Sequence, residues 1–342
     1  MQKIPLLQLR FFPFLKKSTV SCAEWPRNAT YGIDGLAHKD FVDYSIVTHL
    51  CGGLANQMFQ YALGRVLSLR LQVPLRLNIS AFSNSPETVA HVAWRLPLFL
   101  HAVVDGIGVD ATPPPALHKY LRRINQFAQT KFNRKFPLFS GVVIEPHFEY
   151  WSGIERVGAP AHLYGYWQSE KYFSSYATQI RKDFAFPALS EGGAQALAAR
   201  IKACTNAVSV HIRRGDYISN PQARAFHGLP GPDYYRSALE HIRTVVGNTT
   251  LFLFSDDPQW VRENFDPCGH GCEVVDLNQP GAPQHDMHLM SLCRHHVIAN
   301  SSFSWWGAWL GSSGGITIAP KRWFADQRIN TDDIYPQAWI RL

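Results

Sequence analysis

Cysteine is scarce. Six are spread over 342 residues, at positions 22, 51, 204, 268, 272 and 293, and their isolation sets up no disulfide framework. Cys268-Gly-His-Gly-Cys272 can be read as a zinc half-site, a small disulfide loop or a Gly-rich turn. A structural zinc needs a second ligand pair, and the neighbouring sequence offers none. Charge is sparse too, at 17% of residues, and the Lys and Arg behind the net +7 form no long block. The basic balance is therefore not a nucleic-acid footprint. An anionic small substrate, an anionic membrane surface or plain solubility accounts for it equally well. No unbroken apolar run reaches the ~20 residues a bilayer needs. The stretch 4–15 is interrupted by Pro5, Arg10 and Pro13. Residues 295–320 hold no Lys, Arg, Asp or Glu, but Asn300, Ser301, Ser302, Ser304 and four glycines punctuate them as turn–helix–turn. The expectation is a cytoplasmic protein without signal peptide or membrane span. Peripheral contact with the inner leaflet stays open. There is no internal repeat, and residues 1–40 show no period.

What is present is a packed globular composition, 46% hydrophobic and 13% aromatic, in a chain long enough for two domains. We divide it into an extension over 1–40 and domains over 41–190 and 191–342. In the first domain, strands are expected at 45–50, 73–77, 142–145 and 162–167, with helices over 57–71 and 116–131. In the second, strands at 207–213, 250–254, 273–277, 296–299 and 315–319 alternate with helices over 191–203, 233–246, 258–265, 286–294 and 303–311. That alternation means parallel sheets with helices on both faces, an α/β class. Ligands then bind beyond the carboxyl ends of the strands, here 211–217, 254–257 and 299–304.

The first of these ends, His211-Ile-Arg-Arg-Gly-Asp-Tyr217, carries the chemistry. A period of two sends Val208, Val210 and Ile212 to one face and His211 and Arg213 to the other. Two arginines and a histidine at a sheet's mouth call for an anion, which a diphosphate supplies through charge-assisted bonds. Asp216 fits an orienter of an arginine or a turn cap better than a nucleophile. An ion-pair cluster tying two domains together is the competing reading. At Ser255-Asp256-Asp257, carboxylates can face a ribose, a base or a metal, or else cap the helix that begins at Pro258. Nearby arginines already provide positive charge, so no metal is expected. Asn300, Ser301, Ser302 and Ser304 open a helix whose free N–H groups suit a phosphate. Trp305, Trp306 and Trp309 read as core packing. Asp286 either recognises a nucleotide or caps its own helix. Gly52-Gly53 forms a glycine turn between strand and helix, without a Gly-x-Gly-x-x-Gly fingerprint.

In this order the segments Gly52-Gly-Leu-Ala-Asn-Gln-Met-Phe-Gln-Tyr-Ala62, Gly165-Tyr-Trp-Gln-Ser-Glu-Lys-Tyr-Phe173, His211–Tyr217, Phe254–Asp257 and Asn300–Trp306 resemble the α-1,2-fucosyltransferases of glycosyltransferase family 11. The resemblance covers about residues 46–320. It departs at Ala55, where the family often has glycine, and at Leu229-Pro230 before Asp233-Tyr-Tyr, a region that faces acceptor. The resemblance implies a GT-B architecture of two Rossmann-like domains facing a cleft. It also implies transfer of fucose from GDP-fucose to O2 of galactose in an acceptor glycan, with inversion. By the same resemblance, Arg213 stabilises the leaving diphosphate. His211, Arg214, Asp256, Asp286, Asn300, Ser301 and Ser302 bind the donor. Asn56 approaches the fucose or β-phosphate from the opposite domain, and Gln168 and Tyr234 lie on the acceptor side. Asp216 and His227 are the candidate general bases.

Overall fold

A computed structural model of the chain describes residues 44–83, 93–104, 106–132, 141–189, 192–215, 225–265, 272–277, 282–311 and 314–342. The extension over 1–40, Asp216 and Cys268 lie outside the described residues. Four cysteines are described, Cys51, Cys204, Cys272 and Cys293, and all are free thiols. Among the described residues no helix is long and apolar enough to cross a membrane.

The first half builds a five-stranded parallel sheet. Its strands are β1 (Ile46–His49), β2 (Leu75–Asn78), β3 (Ile107–Asp110), β4 (Val142–Ile144) and β5 (Ala161–Tyr164), in the spatial order β3-β2-β1-β5-β4. Helix α1 (Leu54–Leu71) packs on one face. It passes so close to β1 that a Cβ on Gly64 would lie 2.1 Å from Thr48 Oγ1. Sequence periodicity marks a stripe of Met58, Ala62, Val66 and Leu69. In fact α1 is buried almost all round, glutamines included, while Leu69 is only partly covered. Helix α2 (Ala116–Phe132) crosses the opposite face. There the register aligns Val47 and His49 with Arg76 and Asn78 on one side and His162 on the other.

A short helix α3 (Ala177–Asp183) leads to the second half. Its six parallel strands are β6 (Ala207–Ile212), β7 (Thr250–Ser255), β8 (Cys272–Val274), β9 (His295–Val297), β10 (Thr317–Ala319) and β11 (Ile340–Arg341), in the order β11-β10-β9-β6-β7-β8. Counted from β6, this is the 3-2-1-4-5-6 sequence of a Rossmann sheet read from its other edge. The helices are α4 (Gly193–Ala203), α5 (Pro232–Val246), α6 (Pro258–Asn264), α7 (Pro283–Leu292) and α8 (Ser302–Trp309). Val208, Val210 and Ile212 pack with Tyr235, Leu239 and Ile242 of α5. On the other face Ala207, Phe252 and Phe254 pack with Leu197 of α4 and Leu289 and Met290 of α7. Both faces of the sheet are therefore covered, as an all-parallel sheet requires.

Three elements escape periodicity. Strand β3 (Ile-Gly-Val-Asp) is a half-exposed edge with a glycine, β11 has two residues, and α3 is held by tertiary packing. The two halves also share a core. Trp305, Trp306 and Trp309 of α8 are buried in the same cluster as Phe59, Phe173 and Phe184. The described residues accordingly fall within one compact unit.

Candidate active site

Strand order reverses between β1 and β5 in one sheet and between β6 and β9 in the other, and the loops leaving these four strands meet. On the first sheet, Gly52 turns the chain with φ +77, and a Cβ there would sit 2.8 Å from Asn56 Nδ2. Two buried glutamines of α1 hold the surrounding loops. Gln57 Nε2 donates to the Gly52 and Ala93 carbonyls at 2.9 and 2.7 Å, and its Oε1 accepts from Arg95 N at 3.0 Å. Gln60 accepts from Cys51 N at 2.9 Å and donates to the Gly165 carbonyl at 3.1 Å, tying the two loops together. Asn56 is thereby presented to the cleft. Its Oδ1 accepts from Gln168 Nε2 at 2.7 Å and from Ser302 Oγ at 3.2 Å, so Nδ2 is left to donate. Three residues predicted from distant segments are thus bonded to one another.

Glu145, beyond β4, fixes the loop that carries Gln168. Its carboxylate accepts from Tyr166 N at 2.7 Å and Trp167 N at 2.9 Å, and burial pushes it up to about 7 against those two bonds. A Cβ on Gly165 would fall 2.4 Å from Glu145 Cβ. Nothing in the sequence singles Glu145 out. Gln57 and Gln60 fall opposite the stripe of Met58, Ala62, Val66 and Leu69, so periodicity turns them to solvent, and only the all-round burial of α1 reveals their part.

The second sheet supplies the charge. Arg213, just past β6, pairs with Asp256 Oδ2 at 2.8 Å beyond β7, while Asp256 Oδ1 accepts from Arg214 N at 2.8 Å. A Cβ on Gly215 would come within 2.4 Å of the same carboxylate. Asp256 therefore clamps the whole turn and orients Arg213, the task expected of Asp216. Arg214 does not line the cleft. Its guanidinium lies 3.5 Å from the centroid of the Trp260 ring and pairs with Asp257 at 3.3 Å, and Asp257 also caps α6 through Trp260 N. Charge and spacing alone could not divide two adjacent arginines between cleft and scaffold. His211 lines the cleft but is no cation. Burial first, and Arg213 second, hold its imidazole down at about 3, and its Nδ1 has no partner among the described residues.

At β9, Asn300 lines the cleft but spends its amide on the scaffold. Nδ2 donates to the carbonyls of His227 at 2.8 Å and Trp323 at 3.1 Å, which holds the 226–228 loop against the site. Ser301 caps α8 through Phe303 N, and Ser302 reaches across to Asn56. Tyr234, expected on the acceptor side, is a half-buried brace whose hydroxyl meets the carbonyls of Ile298 and Ile318. Asp286 caps nothing. It faces the cleft with Asp276, and burial followed by that neighbour raises it to about 6. His227 also lines the cleft, against Phe226 and Phe324. The cleft that Asn56, Gln168, His211, Arg213, Asp286 and Asn300 help to line has a volume of about 1480 Å³.

The chain is 35% identical over 302 residues to an Escherichia coli protein named alpha-1,2-colitosyltransferase, covering 87% of this chain and 98% of that one. It is 31% identical over 311 residues to the O-antigen biosynthesis glycosyltransferase WbnK of Escherichia coli, covering 86% and 99%. A galactoside 2-alpha-L-fucosyltransferase of Bos taurus matches at 32% over 111 residues, 32% of this chain and 30% of that one. The solved fucosyltransferase NodZ from Bradyrhizobium is 12% identical with a TM-score of 0.45, over 78% of this chain and 92% of its own, too slight a likeness to carry weight. The model of glycosyl transferase family 11 matches residues 151–342, from the Gln168 loop through Arg213 to the Ser302 turn. A cleft fed by two switch points, and relatives matched over nearly their whole length, lead to one assignment: the chain belongs to glycosyl transferase family 11 and is a glycosyltransferase.

Proposed function

We propose that the enzyme transfers L-fucose from GDP-β-L-fucose to O2 of a galactose in an acceptor glycan, giving an α-1,2 linkage with inversion. One observation carries this reading. A clamped guanidinium from one sheet and a clamped amide from the other, Arg213 and Asn56, converge on the same cavity. That pairing suits a sugar diphosphate, with Arg213 on the phosphate oxygens and Asn56 Nδ2 on the fucose or β-phosphate. Asp286 suits the base, because a carboxylate accepts two parallel N–H bonds from the Watson–Crick edge of guanine. Neutral His211 binds as a hydrogen-bonding group, and the turn at Ser301 and Ser302 supports the phosphate.

In the transfer, the galactose O2 attacks C1 while the bond from C1 to the β-phosphate oxygen breaks. The electron pair leaves with GDP, where Arg213 meets the growing charge. The hydroxyl proton passes to a base, for which His227 is the described candidate. No metal is needed for this step. Turnover at 25 °C should survive excess chelator, and its complete loss with recovery on adding manganese would overturn that part.

The 35% relative keeps a second donor in play, GDP-colitose, which lacks only the 3-hydroxyl of fucose. The deciding experiment incubates the enzyme with galactosides and each of GDP-fucose, GDP-colitose and GDP-mannose, then determines the product linkage. Fucose on O2 is expected at the highest kcat/KM. Preference for GDP-colitose would replace the donor, and GDP binding without transfer from any donor would sink the reading.

A further inference from the structure

Away from the cleft, three histidines converge between α2 and the outer face of the first sheet. His49 ends β1, His162 lies in β5 and His118 is on α2. One ring nitrogen from each lies within 4.8 Å of the other two. His49 Nε2 is 3.1 Å from His162 Nδ1, and the His118 ring meets that of His162 edge-on at 4.4 Å between centroids. Neighbours orient the rings. Tyr164 stacks on His49 at 4.0 Å between centroids, and its hydroxyl lies 3.0 Å from His118 Nδ1. None of the three histidines lines the catalytic cavity, although β1 and β5 both lead into it.

A hydrogen-bonded pair of histidines would be ordinary packing. A third imidazole from a different element, with no carboxylate interposed among the described residues, asks for something that takes three nitrogen lone pairs. Zinc fits. Its nitrogen ligands sit at ~2.0–2.1 Å, so ligands on a tetrahedron stand roughly 3.4 Å apart, and three protein ligands leave one position for water. The observed spacing reaches that geometry through small ring movements. The charges facing the cluster bear on the choice of ion. Arg76 pairs with Asp110 at 3.7 Å, and Arg122 lies 4.3 Å from the centroid of the Tyr164 ring. Both guanidinium groups oppose any dication, so the choice of ion rests on the donors: three imidazoles disfavour calcium and magnesium, which want oxygen ligands, and suit a metal that imidazole binds strongly enough to offset that charge. We propose that His49, His118 and His162 bind one divalent transition-metal ion, with zinc as the fitting member, and that the ion pins α2 to the first sheet outside the catalytic cleft.

The test uses the full chain without an affinity tag, stripped by chelator and titrated with zinc chloride, then with cobalt chloride. One equivalent should bind per chain, raise the Tm and, with cobalt, give the visible bands of four-coordination. His118→Phe and His162→Phe, which keep ring bulk, should weaken zinc at least tenfold and abolish the bands with circular dichroism unchanged. Failure of the wild type to take up one equivalent, or unchanged affinity in both variants, overturns the site. X-ray absorption at the zinc edge of the wild type decides without the variants. Three imidazole ligands support the assignment, and fewer refute it.

Discussion

At the scale of the residue, the weight falls on Arg213 and the carboxylate that aims it. A preorganised cation opposite a developing diphosphate acts mainly in the transition state, so Arg213→Ala should lower kcat by at least about a hundredfold. Arg213→Lys should recover only part of this, since a point charge cannot replace a two-pronged donor. Near-normal turnover in Arg213→Ala would remove the residue from the chemistry. Asp286 makes a prediction in pH. Burial and Asp276 raise it to about 6, so it is mostly ionised at neutral pH and gains a proton as pH falls through that value. The protonated form loses an acceptor for the base. The KM for the GDP donor should therefore rise below about pH 6 while kcat changes less, and Asp286→Asn should flatten that limb of the profile. A profile unchanged in the variant would take Asp286 out of base recognition. Much of this site was legible because strand ends and loop motifs name residue types. Division of labour was not. Arg213 and Arg214 are neighbours in a line of text, yet only Trp260 and Asp257 decide which of them leaves the cleft. Tyr234 and Asn300 likewise bond to carbonyl groups, which no sequence pattern advertises.

At the scale of the element, the loop after β5 shows how a half-buried acid positions a polar side chain. Trp167 holds φ 57, uncommon for a bulky residue, and its ring is completely buried. Glu145 sustains that shape through two backbone N–H bonds, and Gln168 then meets Asn56. The two N–H groups bond different carboxylate oxygens, so in Glu145→Gln one of them faces the amide NH2, which cannot accept. Loosening Gln168 should reduce kcat/KM about tenfold, while stability falls by about 1–3 kcal/mol. The pH dependence distinguishes this from a general defect. The Glu145 pKa is raised in the folded chain, so its contribution is largest below the ordinary carboxylate range and is lost as pH rises through about 7. Urea melts of the wild type should therefore lose stability across roughly pH 4.5–7 in a component that Glu145→Gln lacks. A parallel shift at every pH would refute the link. The alternation of strands and helices was readable at this scale because both sheets are parallel and their helices long. Strand β3 was not, since a partly exposed edge keeps too few apolar residues to mark a period.

At the scale of the whole molecule, the boundary drawn near residue 190 falls between two sheets, yet one core cluster runs across it. Helix α8 belongs to the second sheet by connectivity, yet Trp306 Nε1 donates to the Ala55 carbonyl of α1 at 3.0 Å, and its ring stacks on Phe173. Trp309 donates to Glu170 at 3.1 Å, and Arg181 lies 3.9 Å from the centroid of its ring. Ser302, one turn earlier on the same helix, reaches the Asn56 that faces the cleft. The tryptophans were recognisable as packing residues, but the carbonyl and carboxylate that Trp306 and Trp309 meet lie 251 and 139 positions away, distances over which periodicity carries no information. Independent domains would melt in separate steps, whereas a shared core couples them. Calorimetry of the full chain should therefore give one transition with calorimetric and van't Hoff enthalpies in agreement. Trp306→Ala should cost about 3–5 kcal/mol, the usual scale for emptying a buried tryptophan site, and lower that single transition without splitting it. Two resolved transitions in the wild type would mean that α8 is only an interface between separate domains. A single transition would make the cleft a seam within one cooperative unit, where Arg213 and Asn56 owe their alignment to packing as much as to their own bonds.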